Sequence, residues 1–180
     1  MVQPGGWKVI IVFDVETTSL SPLSGRVISI GYWLENQKEP KVIMAMDEKA
    51  LLKQFFDMLE KQSDPILCGY NSNNFDIMFL RLRALKHHLS FAILDKAGKL
   101  DLMNVLTQLT PGEGFKNFKK SRRLKDWCEF FGIECGSDHS GFLMNEMWEK
   151  KLYSEIEKHQ LEDVKRTRAL YDILKSCSVV

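Results

Sequence analysis

Residues 8–15, KVIIVFDV, form an almost unbroken apolar run rich in Val and Ile. Such a run predicts a strand buried on both faces. A turn-like stretch with Ser21-Pro22 and Gly25 follows, then a second apolar run over 26–34, RVISIGYWL. A third strand is expected over 41–46, after the turn residues Asn36 and Pro40. The short connections predict that the three strands form an antiparallel meander.

The period then changes from strand to helix. Leu51, Leu52, Phe55, Phe56 and Leu59 recur at helical spacing, and Asp47 is placed to cap a helix over 48–61. Residues 66–70 suit a fourth strand after Pro65. A second helix is expected over 74–88, with Ile77, Leu80, Leu82 and Leu85 as its apolar face. Residues 98–102 suit a fifth strand that leads into a short helix over 103–109. Residues 110–123 suit a basic, glycine-bearing loop, and 124–131 a helix stopped by Gly132. A second loop is expected over 136–141, and a long, interrupted helix over 142–175. A meander followed by βα alternation predicts an α/β domain with a mixed sheet.

Composition narrows the picture. The chain has 180 residues, enough for a single domain over 1–180 with one full core. It carries 25 Lys and Arg against 24 Asp and Glu, so any nucleic-acid affinity must come from a local patch. Cys68, Cys128, Cys135 and Cys177 form no CxxC pair, which predicts reduced thiols and a cytoplasmic location. Cys128, Cys135 and His139 are too few, at the wrong spacing, for a zinc knuckle. The absence of an 18-residue apolar run or a signal-like leader predicts no membrane partner.

The candidate chemistry lies in four acids. Asp14 and Glu16 are two apart, so on a strand they share one face. They are either surface acids at a solvated strand end or part of a metal site, where a cation offsets their burial. Oxygen ligands of this kind suit Mg²⁺ or Mn²⁺. Taken alone, Asp76 is an acid at a helix start and Asp163 an exposed helical acid. His159 stands one helical turn before Asp163, on the same face.

Together the motifs resemble a known family. Phe13 to Leu20, FDVETTSL, is similar to the first motif of the DEDD superfamily of 3′–5′ exonucleases (DnaQ-like). Gly69 to Asp76, GYNSNNFD, resembles the second motif as it occurs in family B DNA polymerase proofreading domains. His159 to Val164, followed by Thr167 and Leu170-Tyr171, resembles the third. Leu124 to Cys128 with Phe131-Gly132-Ile133 resembles the helix ahead of it.

The resemblance implies a ribonuclease-H-like fold, with a mixed five-stranded sheet and helices on both faces. It implies a metal-dependent 3′–5′ exonuclease that releases nucleoside monophosphates from single-stranded nucleic-acid ends, with DNA favoured over RNA. The cofactors would be two Mg²⁺ or Mn²⁺ ions. Asp14 would bridge them, Glu16 and Asp163 would hold the ion on the nucleophile side, and Asp76 would hold the other. Thr17, Thr18, Leu20, Asn71 and Phe75 would contact the substrate near its 3′ end.

In one branch of the superfamily a Tyr stands four residues before the last Asp, and in the other a His stands five before it. This chain has His159 four before Asp163. A neutral imidazole accepts a proton near pH 7 as a phenol does not, so His159 is expected to orient or deprotonate the attacking water. His139 is a secondary candidate for that role.

Lys116, Lys119, Lys120, Arg122 and Arg123, interleaved with Phe115 and Phe118, form the best local footprint for phosphates and stacked bases. The opposing reading is a solvated charged loop. A polymerase or repair protein is a candidate partner. The alternative function is a non-catalytic nucleic-acid-binding module, or a polymerase-associated subunit, with a degenerate site.

Overall fold

The computed structural model describes residues 8–110, 123–134 and 144–180. Five strands form one sheet in the order β3-β2-β1-β4-β5. They are β1 (Val9–Thr17), β2 (Val27–Leu34), β3 (Lys41–Met44), β4 (Pro65–Gly69) and β5 (Gly98–Asp101). β1, β2 and β3 pair antiparallel, as the short connections required. β4 and β5 add in parallel on the other side of β1, each reached through helix. β1 is thus the central strand, which accounts for its apolar run.

The alternation of β1 assigns the two faces. Ile11, Phe13 and Val15 face a core built with α1 (Glu48–Glu60), α2 (Asp76–Lys86) and α3 (Ala92–Lys96). Asp47 caps α1 by accepting from the Lys49 N–H at 2.9 Å. Val12 and Cys68 face the opposite core, built with α4 (Leu102–Leu109) and α7 (Tyr153–Ser176). α5 (Leu124–Phe131) lies against α7, and α6 (Met144–Glu149) helps cover Ile28. Gly132 ends α5 with φ +68°, the left-handed geometry a glycine accepts at no cost.

Several expectations shift. β1 continues to Thr17, so Glu16 is inside the strand rather than beyond it. β3 ends at Met44 and leaves Met46 exposed. The apolar face expected for α2 is wrong at two positions: Leu82 and Leu85 are 40% and 55% exposed. The buried face is Ile77, Phe79, Leu80, Arg83 and Ala84. Arg83 is accommodated there because Glu48 accepts from both its Nε and Nη2, at 2.9 and 2.6 Å. The short helix α3 was not anticipated. The break expected in the last long helix falls between α6 and α7, where Lys151 has φ 58°.

Cys68 and Cys177 are free thiols, as expected. Among the described residues no helix is long and apolar enough to cross a membrane. The expected loops over 110–123 and 136–141, with Lys116, Lys119, Lys120, Arg122 and His139, lie largely or wholly outside the described residues, as does Cys135.

Candidate metal centre

Asp14 and Glu16 follow Val12 on the face of β1 that α7 covers. There the apolar series gives way to two acids. α7 crosses β1 and β2 closely enough to bring His159, Gln160 and Asp163 onto this end of the sheet. Gly31, the register partner of Asp14 on β2, makes the approach possible. A Cβ at Gly31 would lie 2.7 Å from both Gln160 Cγ and Val164 Cγ2.

The geometry joins three of the expected residues directly. His159 Nε2 is 3.3 Å from Glu16 Oε1 and 3.2 Å from Asp163 Oδ2. One ligand atom from each of the three lies within 4.8 Å of the others. Asp76 reaches the same strand end from the first turn of α2, where its Oδ1 accepts the Val15 N–H at 3.0 Å.

The electrostatics tie the acids together. Burial and the neighbouring Asp163 push the Asp14 carboxyl up to about 7, although a hydrogen bond from Gln160 opposes the rise. Glu16 is raised well above the ordinary carboxylate range by burial, then by Asp14, Asp163 and Asp76. Asp76 is raised by burial and by Asp14. Asp14, Glu16 and Asp76 therefore each resist ionisation while their neighbours are charged. A bound cation reverses that preference, and oxygen donors in this number fit a hard divalent ion.

Two supporting residues carried no warning in the sequence. Gln160 is fully buried, donates from Nε2 to Asp14 Oδ2 at 2.6 Å, and accepts from Ser29 Oγ at 2.6 Å. Arg166 donates from Nη1 to Asp163 Oδ1 at 2.6 Å, which leaves Oδ2 as the oxygen facing His159. One oxygen each of Asp14, Asp76 and Asp163 is thereby held by a protein donor, the arrangement that orients metal-binding carboxylates. A buried Gln or Arg on a long helix is recognisable only once its partner is known.

The remaining candidates surround this point. Thr17 donates to the Ser19 carbonyl at 2.8 Å, and Thr18 Oγ1 accepts the Arg26 N–H at 3.1 Å. These bonds shape the turn that carries Leu20, which is 68% exposed and so not part of the core. Asn71 has φ 57°, and its Oδ1 accepts from Asn74 at 3.0 Å. Its N–H and that of Asn73 both donate to the Asp101 carboxylate, at 3.0 Å each, so Asp101 organises the second motif as well as capping α4. Phe75 packs on Phe79 with centroids 5.6 Å apart, at the rim of the core. Arg123 precedes α5 and pairs with Asp126.

Comparison with known proteins agrees with this architecture. The chain is 34% identical to an uncharacterized protein of Methanocaldococcus jannaschii over 94% of its own length and 97% of that protein's. Among solved structures, the family B DNA polymerase of Pyrobaculum calidifontis matches 92% of the chain with a TM-score of 0.75 at 22% identity. A product-bound exonuclease I matches 95% with a TM-score of 0.68 at 16% identity. The chain spans only 24% of that polymerase and 44% of that exonuclease. The fold they share with it is of the DnaQ-like type. The RNase H superfamily model matches residues 11–175, nearly the whole chain, and the protein belongs to that superfamily.

Proposed function

We propose that this protein is a metal-dependent 3′–5′ exonuclease acting on single-stranded nucleic acid and releasing nucleoside monophosphates. The observation that carries the reading is the convergence of Asp14, Glu16, Asp76 and Asp163 on one buried point, where burial and mutual repulsion raise the pKa of Asp14, Glu16 and Asp76. Two Mg²⁺ or Mn²⁺ ions, when bound, supply water activation and charge stabilisation at the departing 3′ oxygen.

Asp14 would serve both ions, Glu16 and Asp163 would hold the one on the nucleophile side, and Asp76 would hold the other. Gln160 and Arg166 hold Asp14 and Asp163 in place. Thr17 and Thr18 present backbone to the terminal nucleotide, and the exposed Leu20 meets its base. Asn71 and Phe75 flank the scissile phosphate. Lys116, Lys119, Lys120, Arg122 and Arg123 grip the strand further along. The family B polymerase likeness favours DNA over RNA, and a polymerase or repair protein as partner.

The test is the shortening of 5′-labelled DNA and RNA single strands with Mg²⁺ or Mn²⁺. Stepwise loss from the 3′ end, abolished by Asp14→Ala, is expected. Intact strands with both ions and folded wild-type protein would overturn the proposal. One observation favours the second reading, a non-catalytic binding module: the third motif departs from both branches, with His159 four residues before Asp163. Strand binding without cleavage would select it.

A further inference from the structure

Among the described residues, His159 groups an imidazole nitrogen with the carboxylates of Glu16 and Asp163. It is 6% exposed and sits on α7 one turn before Asp163, on the same face. An imidazole serving as base must turn its acceptor nitrogen towards a water. Here Nε2 faces two carboxylate oxygens at once, at 3.2 and 3.3 Å. Ligands at right angles around an ion, with bonds of about 2.1 Å, lie about 3 Å apart. The observed separations are close to that value. Arg166 engages Asp163 Oδ1, so the oxygen beside His159 is the one presented to an ion.

We infer that His159 Nε2 is a direct ligand of the ion held by Glu16 and Asp163, and that it biases the site towards Mn²⁺ over Mg²⁺. The inference rests on the metal-centre reading above. Mg²⁺ demands oxygen ligands and keeps its waters, whereas imidazole binds the first-row transition ions more readily. As a ligand, His159 does not take the proton of the attacking water. Its removal changes which ion the protein accepts.

The test uses Mn²⁺ both as ligand and as spin probe. Electron spin echo spectra of the Mn²⁺-loaded wild type are expected to carry the modulation of a directly bound imidazole nitrogen, lost in His159→Gln. Titration calorimetry should show Mn²⁺ affinity falling about tenfold or more in His159→Gln, and Mg²⁺ affinity changing by less than about threefold. A wild-type spectrum without nitrogen modulation, or an equal fall for both ions, overturns the inference. The wild-type spectrum decides the matter even if the variant does not fold. Strand cleavage without nitrogen modulation would refute the ligand role and keep the exonuclease. Failure of wild type to bind either ion would refute both.

Discussion

Replacing Asp14 with Asn is expected to stabilise the metal-free protein at mildly alkaline pH and to abolish the proposed strand cleavage. The Asp14 carboxyl rises from 3.8 to about 7 on folding, through burial and the neighbouring Asp163. Between those values the unfolded chain has released a proton that the native state still holds. Stability therefore falls as pH rises through this window, and the loss is complete above about pH 7. At about 1.4 kcal/mol per pH unit the full effect is about 4 kcal/mol. Asp14 keeps some contact with solvent, and screening reduces this to about 2 kcal/mol.

Asn has the shape of Asp and still accepts the Gln160 hydrogen bond, so the change removes charge and little else. Calorimetric melting in chelator at pH 8 should place Asp14→Asn about 4–8 °C above wild type. The gain should shrink steadily towards pH 4. Added Mn²⁺ should raise the wild-type melting temperature and leave that of the variant nearly unchanged. A variant less stable than wild type at pH 8, or a gain independent of pH, would show that the acids do not repel as the geometry implies.

Other perturbations read the supports of the site. Gly31→Ala places a Cβ 2.7 Å from Gln160 and Val164, so α7 must move; a loss of about 1–3 kcal/mol in urea unfolding is expected. Gln160→Leu frees Asp14 from its donor, and Mn²⁺ affinity by titration calorimetry should fall about 10- to 100-fold with the fold intact. Glu48→Ala leaves the buried Arg83 without its carboxylate and should cost about 3–5 kcal/mol in denaturant unfolding. Reversing the charge of Lys116, Lys119, Lys120, Arg122 and Arg123 should weaken single-strand binding and flatten its salt dependence. A salt slope equal to wild type would mark the stretch as a solvated loop.

How much of the molecule was legible follows from where each signal is stored. A central strand must be apolar on both faces, so KVIIVFDV announced β1, and its two-residue period put Asp14 and Glu16 on one side. The α5 stop at Gly132 and the Asp47 cap are local chemistry and were equally visible. The face of α2 was not, because docking chose which apolar residues to bury. Arg83 went inside only because Glu48, 35 residues away, was waiting. α3, at five residues, is too short to show a helical period.

The same division runs through the site. Spacing aligned His159 with Asp163, but only the crossing of α7 over β1 brought Glu16 to the same nitrogen. That crossing depends on an absent side chain. Gly31 stands opposite Asp14 across the β1–β2 register, and the space it leaves admits Gln160. Gln160 then spends one end on Ser29 of β2 and the other on Asp14 of β1, so the sheet itself sets the orientation of the carboxylate. A missing Cβ on one strand, a buried amide on a helix and an acid on the next strand thus act as one unit. Three residues spread over 147 positions of sequence meet only after folding, so no local pattern could have announced them.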